Sequence, residues 1–203
     1  MAIFRLYYRI EVKDRYGRVK KRTRLHKADS FTLQFLGAVG GWLTHAYLAE
    51  NAVYSGPCKN TLGSTMYYVV SSPAMWGFTA VFAADDNDDY GIVVGTGTTP
   101  PTNVDYKLET QIAHGTGAGE LDYGTHSFTT PQVVGSNVDM VISRTFYNGS
   151  GAKVTISEIG VYEYSARPHY GTDSACIIRD VITPVDVENG ETVSVQYTLR
   201  TTV

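Results

Sequence analysis

Asn137-Val138-Asp139-Met140-Val141-Ile142-Ser143-Arg144-Thr145-Phe146-Tyr147, with the turn Asn148-Gly149-Ser150-Gly151 behind it, decides the fold class of this chain. Val138, Met140, Ile142 and Phe146 fall on one phase of a two-residue period, with Asp139, Ser143 and Thr145 on the other. Alternate side chains of a strand point to opposite faces, so this is a strand with one face buried. Past the turn Val154 and Ile156 resume the alternation, but the next apolar residues are Ile159 and Val161. That slip of phase at Ser157-Glu158 predicts a β-bulge. Val185 and Val187 then run into Asn189-Gly190, a dipeptide that favours tight hairpins. Val193, Val195, Tyr197 and Leu199 alternate with Thr192, Ser194, Gln196 and Thr198 in the last strand.

Upstream, Ile3–Val12, a turn at Arg15-Tyr16-Gly17-Arg18 and Val19–His26 read as an N-terminal β-hairpin. Asp29 or Ser30 can cap a helix carrying Phe31, Phe35, Leu36, Val39, Trp42, Leu43 and Tyr47 at helical spacing. Gly37, Gly40 and Gly41 are its weak point, each costing about 0.5–1 kcal/mol relative to Ala. Phe31–Ala49 holds no charged residue and a GxxxG spacing, so a membrane span is weighed. Gln34, Thr44, His45 and the glycines favour a buried or oligomer-facing helix instead. Short strands are expected at Met66–Val70, Phe78–Ala83, Gly91–Val94 and Leu121–Phe128. Val104, Leu108 and Ile112, four apart, predict a short amphipathic helix over Asn103–His114. The fold expected is a mainly β, jelly-roll-like antiparallel β-sandwich with an N-terminal β-hairpin and one α-helix. Residues 1–50 would form a basic assembly extension and residues 51–203 the sandwich domain.

The chain has 203 residues, 43% of them hydrophobic and 18% charged, which is enough for a real core and excludes a disordered chain. Residues 1–29 carry ten Lys or Arg against Glu11, Asp14 and Asp29, a balance of +7. With a net charge of −3, the remainder carries −10. A basic segment on an acidic body suits nucleic acid or an acidic partner surface, or is the solvated face of an edge strand. Fifteen Tyr suit either strands or contact surfaces. Cys58 and Cys176 have no metal or redox spacing and read as buried thiols. Met1–Arg9 has charges where a signal peptide needs an apolar stretch.

No catalytic, cofactor or metal site residue is nominated. Asp85-Asp86-Asn87-Asp88-Asp89 imitates the start of a calcium loop, but Tyr90 stands at the sixth position and Thr96 at the twelfth, so the EF-hand pattern fails. A looser Ca²⁺ site and a solvated acidic turn remain as the two readings. The Gly-Thr-Gly loops at 95–99 and 115–119 lack a P-loop lysine and read as positive-φ turns. His26, His45, His114, His126 and His169 have no metal spacing, although His114 and His126 flank one loop. Asn148-Gly149-Ser150 matches a glycosylation acceptor and reads as a turn.

Several segments resemble structural proteins of tailed bacteriophages and related viruses. They are Tyr90-Gly91-Ile92-Val93-Val94-Gly95-Thr96-Gly97 with Thr98-Thr99-Pro100, Asp105-Tyr106-Lys107-Leu108, Ile112-Ala113-His114-Gly115, Ile142–Gly151, Ser157-Glu158-Ile159-Gly160-Val161-Tyr162, Ile178-Arg179-Asp180-Val181 and Val195–Arg200. The resemblance covers roughly residues 80–203 and brings no catalytic residues. It implies a non-enzymatic virion protein, made in the host cytoplasm, that assembles with copies of itself and with other virion proteins. Its place would be capsid-associated or cement, or tail or connector. The alternative is a carbohydrate- or receptor-binding β-sandwich module of a virion. A hydrolase would need a cleft gathering two carboxylates.

Overall fold

Residues 3–28, 30–44, 53–69, 83–167 and 171–202 are described by a computed structural model of the chain. Among them are β1 (Ile3–Lys13), β2 (Val19–Arg22), β3 (His26–Ala28), α1 (Leu33–Thr44), β4 (Val53–Lys59), β5 (Thr65–Val69) and β6 (Gly91–Gly95). The long strands follow: β7 (Asp122–Val134), β8 (Asn137–Tyr147), β9 (Val154–Arg167), β10 (Gly171–Val187) and β11 (Thr192–Thr202). The larger sheet runs β2-β1-β11-β8-β7, with β3 also on β1; the smaller runs β10-β9-β6, and β4 pairs with β5. Every pairing is antiparallel.

The two sheets face each other as a sandwich-like pair, and the alternation read from the sequence is what fills the space between them. Leu6, Ile10 and Val12 of β1, Val193, Val195 and Tyr197 of β11 and Phe146 of β8 meet Ile92 and Val94 of β6 and Ile159 and Val161 of β9. Each such side chain removed from water contributes roughly 1.5–3 kcal/mol. A smaller cluster of Ala38, Cys58 and Ala175, with Leu33 beside it, lies where α1 packs on β10 and β4.

The first strand is not an extension. All eleven residues of β1 pair with β11, so β1 lies inside the larger sheet, and the basic turn and β2 form that sheet's edge. The expected second hairpin strand is split into β2 and β3, because Thr23 turns its hydroxyl to the Ile10 amide. The helix begins at Leu33 and runs through Gly37, Gly40 and Gly41, and no helix among the described residues is long and apolar enough to cross a membrane. The strand expected over 78–83 lies outside the described residues apart from Ala83, and β4 was not foreseen.

Asn189-Gly190 does not close a hairpin: β10 belongs to the smaller sheet and β11 to the larger, so this turn crosses the sandwich. Asn148-Gly149 crosses it in parallel, and the two turns are zipped together. Asn148 N–H donates to Glu191 O at 2.9 Å, Gly190 N–H to Asn148 O at 2.7 Å, and the buried Asn148 amide to Val187 O at 2.7 Å. The irregularity expected at Ser157-Glu158 is present, but the surplus residues are on the partner strand: Ile156 and Glu158 face Val185 and Val181.

The helix expected over 103–114 is absent. Leu108 and Ile112 are buried as their spacing suggests, but the backbone there is irregular. Its amides are taken by side chains of β9: Leu108 N–H donates to the Tyr162 phenol oxygen at 2.7 Å and Glu109 N–H to Glu158 Oε1 at 2.9 Å. Those donors are unavailable to an i→i−4 ladder.

Candidate functional site

Two arginines lie buried in this framework. Arg144 sits on the apolar phase of β8, fully buried between the sheets. It has no carboxylate within ion-pair distance among the described residues. Its guanidinium instead donates to five carbonyl oxygens: Gly124 (2.8 Å), Tyr90 (3.3 Å), Ile92 (3.2 Å), Ala84 (3.1 Å) and Asn87 (2.7 Å). Its charge also lies 4.8 Å from the Tyr123 ring centroid. Burial pulls the guanidinium down to about 10, which leaves it charged at neutral pH.

Arg144 also organises the acidic loop. Three carbonyls of 84–90 turn inward onto Arg144, so a side-chain cation holds the loop where a calcium loop would gather oxygens around an ion. Asn87 Oδ1 accepts from Asp89 N–H at 3.0 Å, and Asp88 Oδ2 accepts from His114 N–H at 2.8 Å. Asp86, His114 and Asp122 bring one ligand atom each to within 4.8 Å of one another. The His114 ring, however, accepts the Tyr123 N–H at Nδ1 (3.2 Å) and so carries its proton on Nε2, facing Asp86 at 3.8 Å. That tautomer offers a cation no imidazole lone pair.

The second arginine, Arg179 of β10, is 4% exposed and gathers three strands of connection. Nε donates to Glu158 Oε1 (2.6 Å), NH1 to Asp105 Oδ2 (2.5 Å) and NH2 to Thr99 O (3.0 Å). Glu158 is fully buried and also accepts from Glu109 and Thr110 amides. Gly97 is a glycine because a Cβ there would lie 2.6 Å from Glu158 Oε2 and from Glu109 Cβ. The 95–99 loop is therefore a close-approach loop, whereas Gly115 and Gly119 do adopt positive φ. Segments carrying Thr99, Asp105, Glu158 and Arg179, all among those quoted for the resemblance, converge here.

His114 and His126 take separate partners. His126 Nε2 accepts the Ile92 N–H at 2.9 Å and Nδ1 faces Ala83 O at 3.3 Å, so the ring is neutral. Burial, with Arg144 nearby, pushes it down to about 4. His126, Tyr123 and Arg144 thus satisfy the outer edge of β6 by side chains reaching across from the larger sheet. Cys58 and Cys176 are buried free thiols, each pushed up by burial. Glu163, beside Ala175, is buried with no partner for Oε2 among the described residues, and burial raises it to about 8.

The two clamped loops border a cleft of about 780 Å³. The β4–β5 turn (Asn60, Leu62), the acidic loop (Asp88, Asp89, Tyr90) and the 107–111 segment wall it, above Tyr164 and Ser174. Sequence reasoning missed this cleft and both clamps. The signal available was a lone arginine, Arg144, on the inward phase of a strand.

The two edges of the larger sheet differ in kind. β2 (Val-Lys-Lys-Arg) is exposed at all four residues and guarded by charge. β7, the opposite edge, has no Asp, Glu, Lys or Arg from Tyr123 to Val134, and Phe128 (47%), Val133 (79%) and Val134 (52%) are exposed there. Comparison with protein-family models, with curated proteins and with solved structures returns no match for this chain.

Proposed function

We propose that this chain is a non-enzymatic virion structural protein, working through surfaces presented to copies of itself and to other virion proteins. The observation that supports this best is the β7 edge. At Tyr123 the outer edge of β7 is taken by the Asp86 amide and the His114 ring, but from Ser127 onward β7 is paired on one side only, uncharged and apolar at its tip, so it offers a template for another chain on either side of Pro131 and the bulge between Thr129 and Gln132. β2 is guarded more heavily, by the charges of Lys20, Lys21 and Arg22. Symmetric repetition of one subunit turns the same edge into a bond made many times over. Nine exposed basic residues lie around β1–β3 (Arg5, Lys13, Arg15, Arg18, Lys20, Lys21, Arg22, Arg24 and Lys27), and although Lys13, Arg18, Lys20 and Arg22 are paired within the chain, the rest and an acidic remainder supply charge complementarity for neighbouring copies. A capsid-associated or cement role and a tail or connector role both use these surfaces. Mass spectrometry of purified particles of the virus that encodes the chain, with copy number, tests the reading. Many copies per particle are expected, and absence from the particle overturns it.

A further inference from the structure

We propose that the cleft bordered by the two arginine-clamped loops binds a short neutral oligosaccharide. The inference stands on the cleft alone and does not need the virion reading. A volume of about 780 Å³ falls within the range of small-ligand sites. Its walls are held rigidly and at some cost. A buried guanidinium pins the 84–90 loop through three carbonyls, and the buried Arg179–Glu158 pair pins 99–110. Desolvated charge is expensive, and here it fixes two loops that line the opening and are joined where Gln111 donates to Asp88 O at 2.7 Å.

The lining suits a polyol. Tyr90 and Tyr164 lie with ring centroids 4.8 Å apart and planes inclined by 35°, both half-buried, giving an aromatic floor to one side. The negative face of such a ring attracts the polarised C–H face of a pyranose. Around it stand the carboxylates of Asp88, Asp89 and Glu109, the amides of Asn60 and Gln111, and the Lys107 ammonium. Asp89 and Lys107 are exposed and have no partner among the described residues, so each is available to sugar hydroxyls, which both donate and accept. Hydrogen bonds from a hydroxyl to a carboxylate are roughly twice as strong as neutral ones. Glu109 is turned onto Thr98 and Thr99 with Arg179 3.8 Å away, but Asp88 and Asp89 still outweigh the one Lys107 ammonium and disfavour phosphates, uronates and sialic acids, which selects neutral sugars. The scarcity of apolar walls argues against a peptide anchor.

Ligand-observed NMR on the full chain with maltotriose, cellotriose and chitotriose, and with sialyllactose as the anionic control, tests this. At least one neutral trisaccharide is expected to bind, with sialyllactose weaker. Asp89→Ala, Lys107→Ala and Tyr90→Ala should each weaken that binding about tenfold or more, a change of roughly 1.4 kcal/mol. Thermal melting checks that each variant is folded. Should Tyr90→Ala unfold, the exposed Asp89→Ala and Lys107→Ala carry the test. Silence from all three neutral sugars at about 10 mM, equal binding of sialyllactose, or undiminished binding by the folded variants overturns the proposal.

Discussion

Arg179→Met removes the guanidinium that three loops share, and the structure says where the cost falls. Asp105 keeps the Thr102 amide and hydroxyl at 2.8 and 2.7 Å and is 20% exposed, so water can replace what it loses. Thr99 is an exposed residue. Glu158 has no such relief: its side chain is 0% exposed and is left with two backbone amides, at 2.9 and 3.3 Å. Removing one partner of a buried pair costs about 3–5 kcal/mol, most of it the penalty on the stranded charge. The expected loss at pH 7 is about 3 kcal/mol or more, read as a shift in urea midpoint at unchanged slope. One signature separates this from a simple packing defect. Adding Glu158→Gln to the variant should recover about 1–2 kcal/mol, since a neutral amide is cheaper to bury than an unpaired carboxylate. A loss under about 1 kcal/mol, or no recovery on adding Glu158→Gln, refutes the reasoning.

Three further outcomes follow from other buried groups. Burial holds His126 at about 4, below its unfolded value near 6.5, so its contribution is complete above pH 6.5 and is lost as the pH falls towards 4; His126→Gln should flatten the thermal midpoint over that window. Glu163 has the opposite sign. Raised to about 8, it favours the folded state below its unfolded pKa near 4.5 and loses that advantage as the pH rises to 8, so Glu163→Gln should stabilise the protein at pH 8 and leave it little changed at pH 5. Gly160→Ala places a Cβ 2.8 Å from Ile178 O and 2.8 Å from Leu108 Cδ2, and the backbone oxygen cannot yield; differential scanning calorimetry should show a loss of about 1–3 kcal/mol.

The strands were legible wherever one face is buried and the other wet. Asn137–Tyr147 appears with the bounds that its alternation gives, with Phe146 buried and Ile142 packed against the core, and the last strand, read over Thr192–Leu199, buries Val193, Val195 and Tyr197 and runs on to Thr202. Which strand each pairs with was not legible. Asn-Gly fixes a tight turn, but the same dipeptide serves a hairpin or a crossing between sheets, and at Asn189-Gly190 the partner is decided by β1 filling the place beside β11. The apolar spacing at Leu108 and Ile112 correctly marked burial and wrongly implied a helix, since tertiary acceptors on Tyr162 and Glu158 took the amides. The cleft depends on contacts between residues 99, 105, 158 and 179, and no local pattern encodes their meeting. Arg144 carried a local signal that went unread: an arginine at an inward strand position marks either an error of phase or a buried clamp.

Light scattering on the purified full-length protein across a concentration series tests the central claim most directly, because the claim is that this chain acts through association. A defined oligomer is expected at micromolar concentration, dissociating to monomer in the Phe128→Lys/Val133→Lys double variant while its melting temperature is held. A wild-type chain that stays monomeric at about 100 μM, where even weak specific self-association is populated, contradicts it.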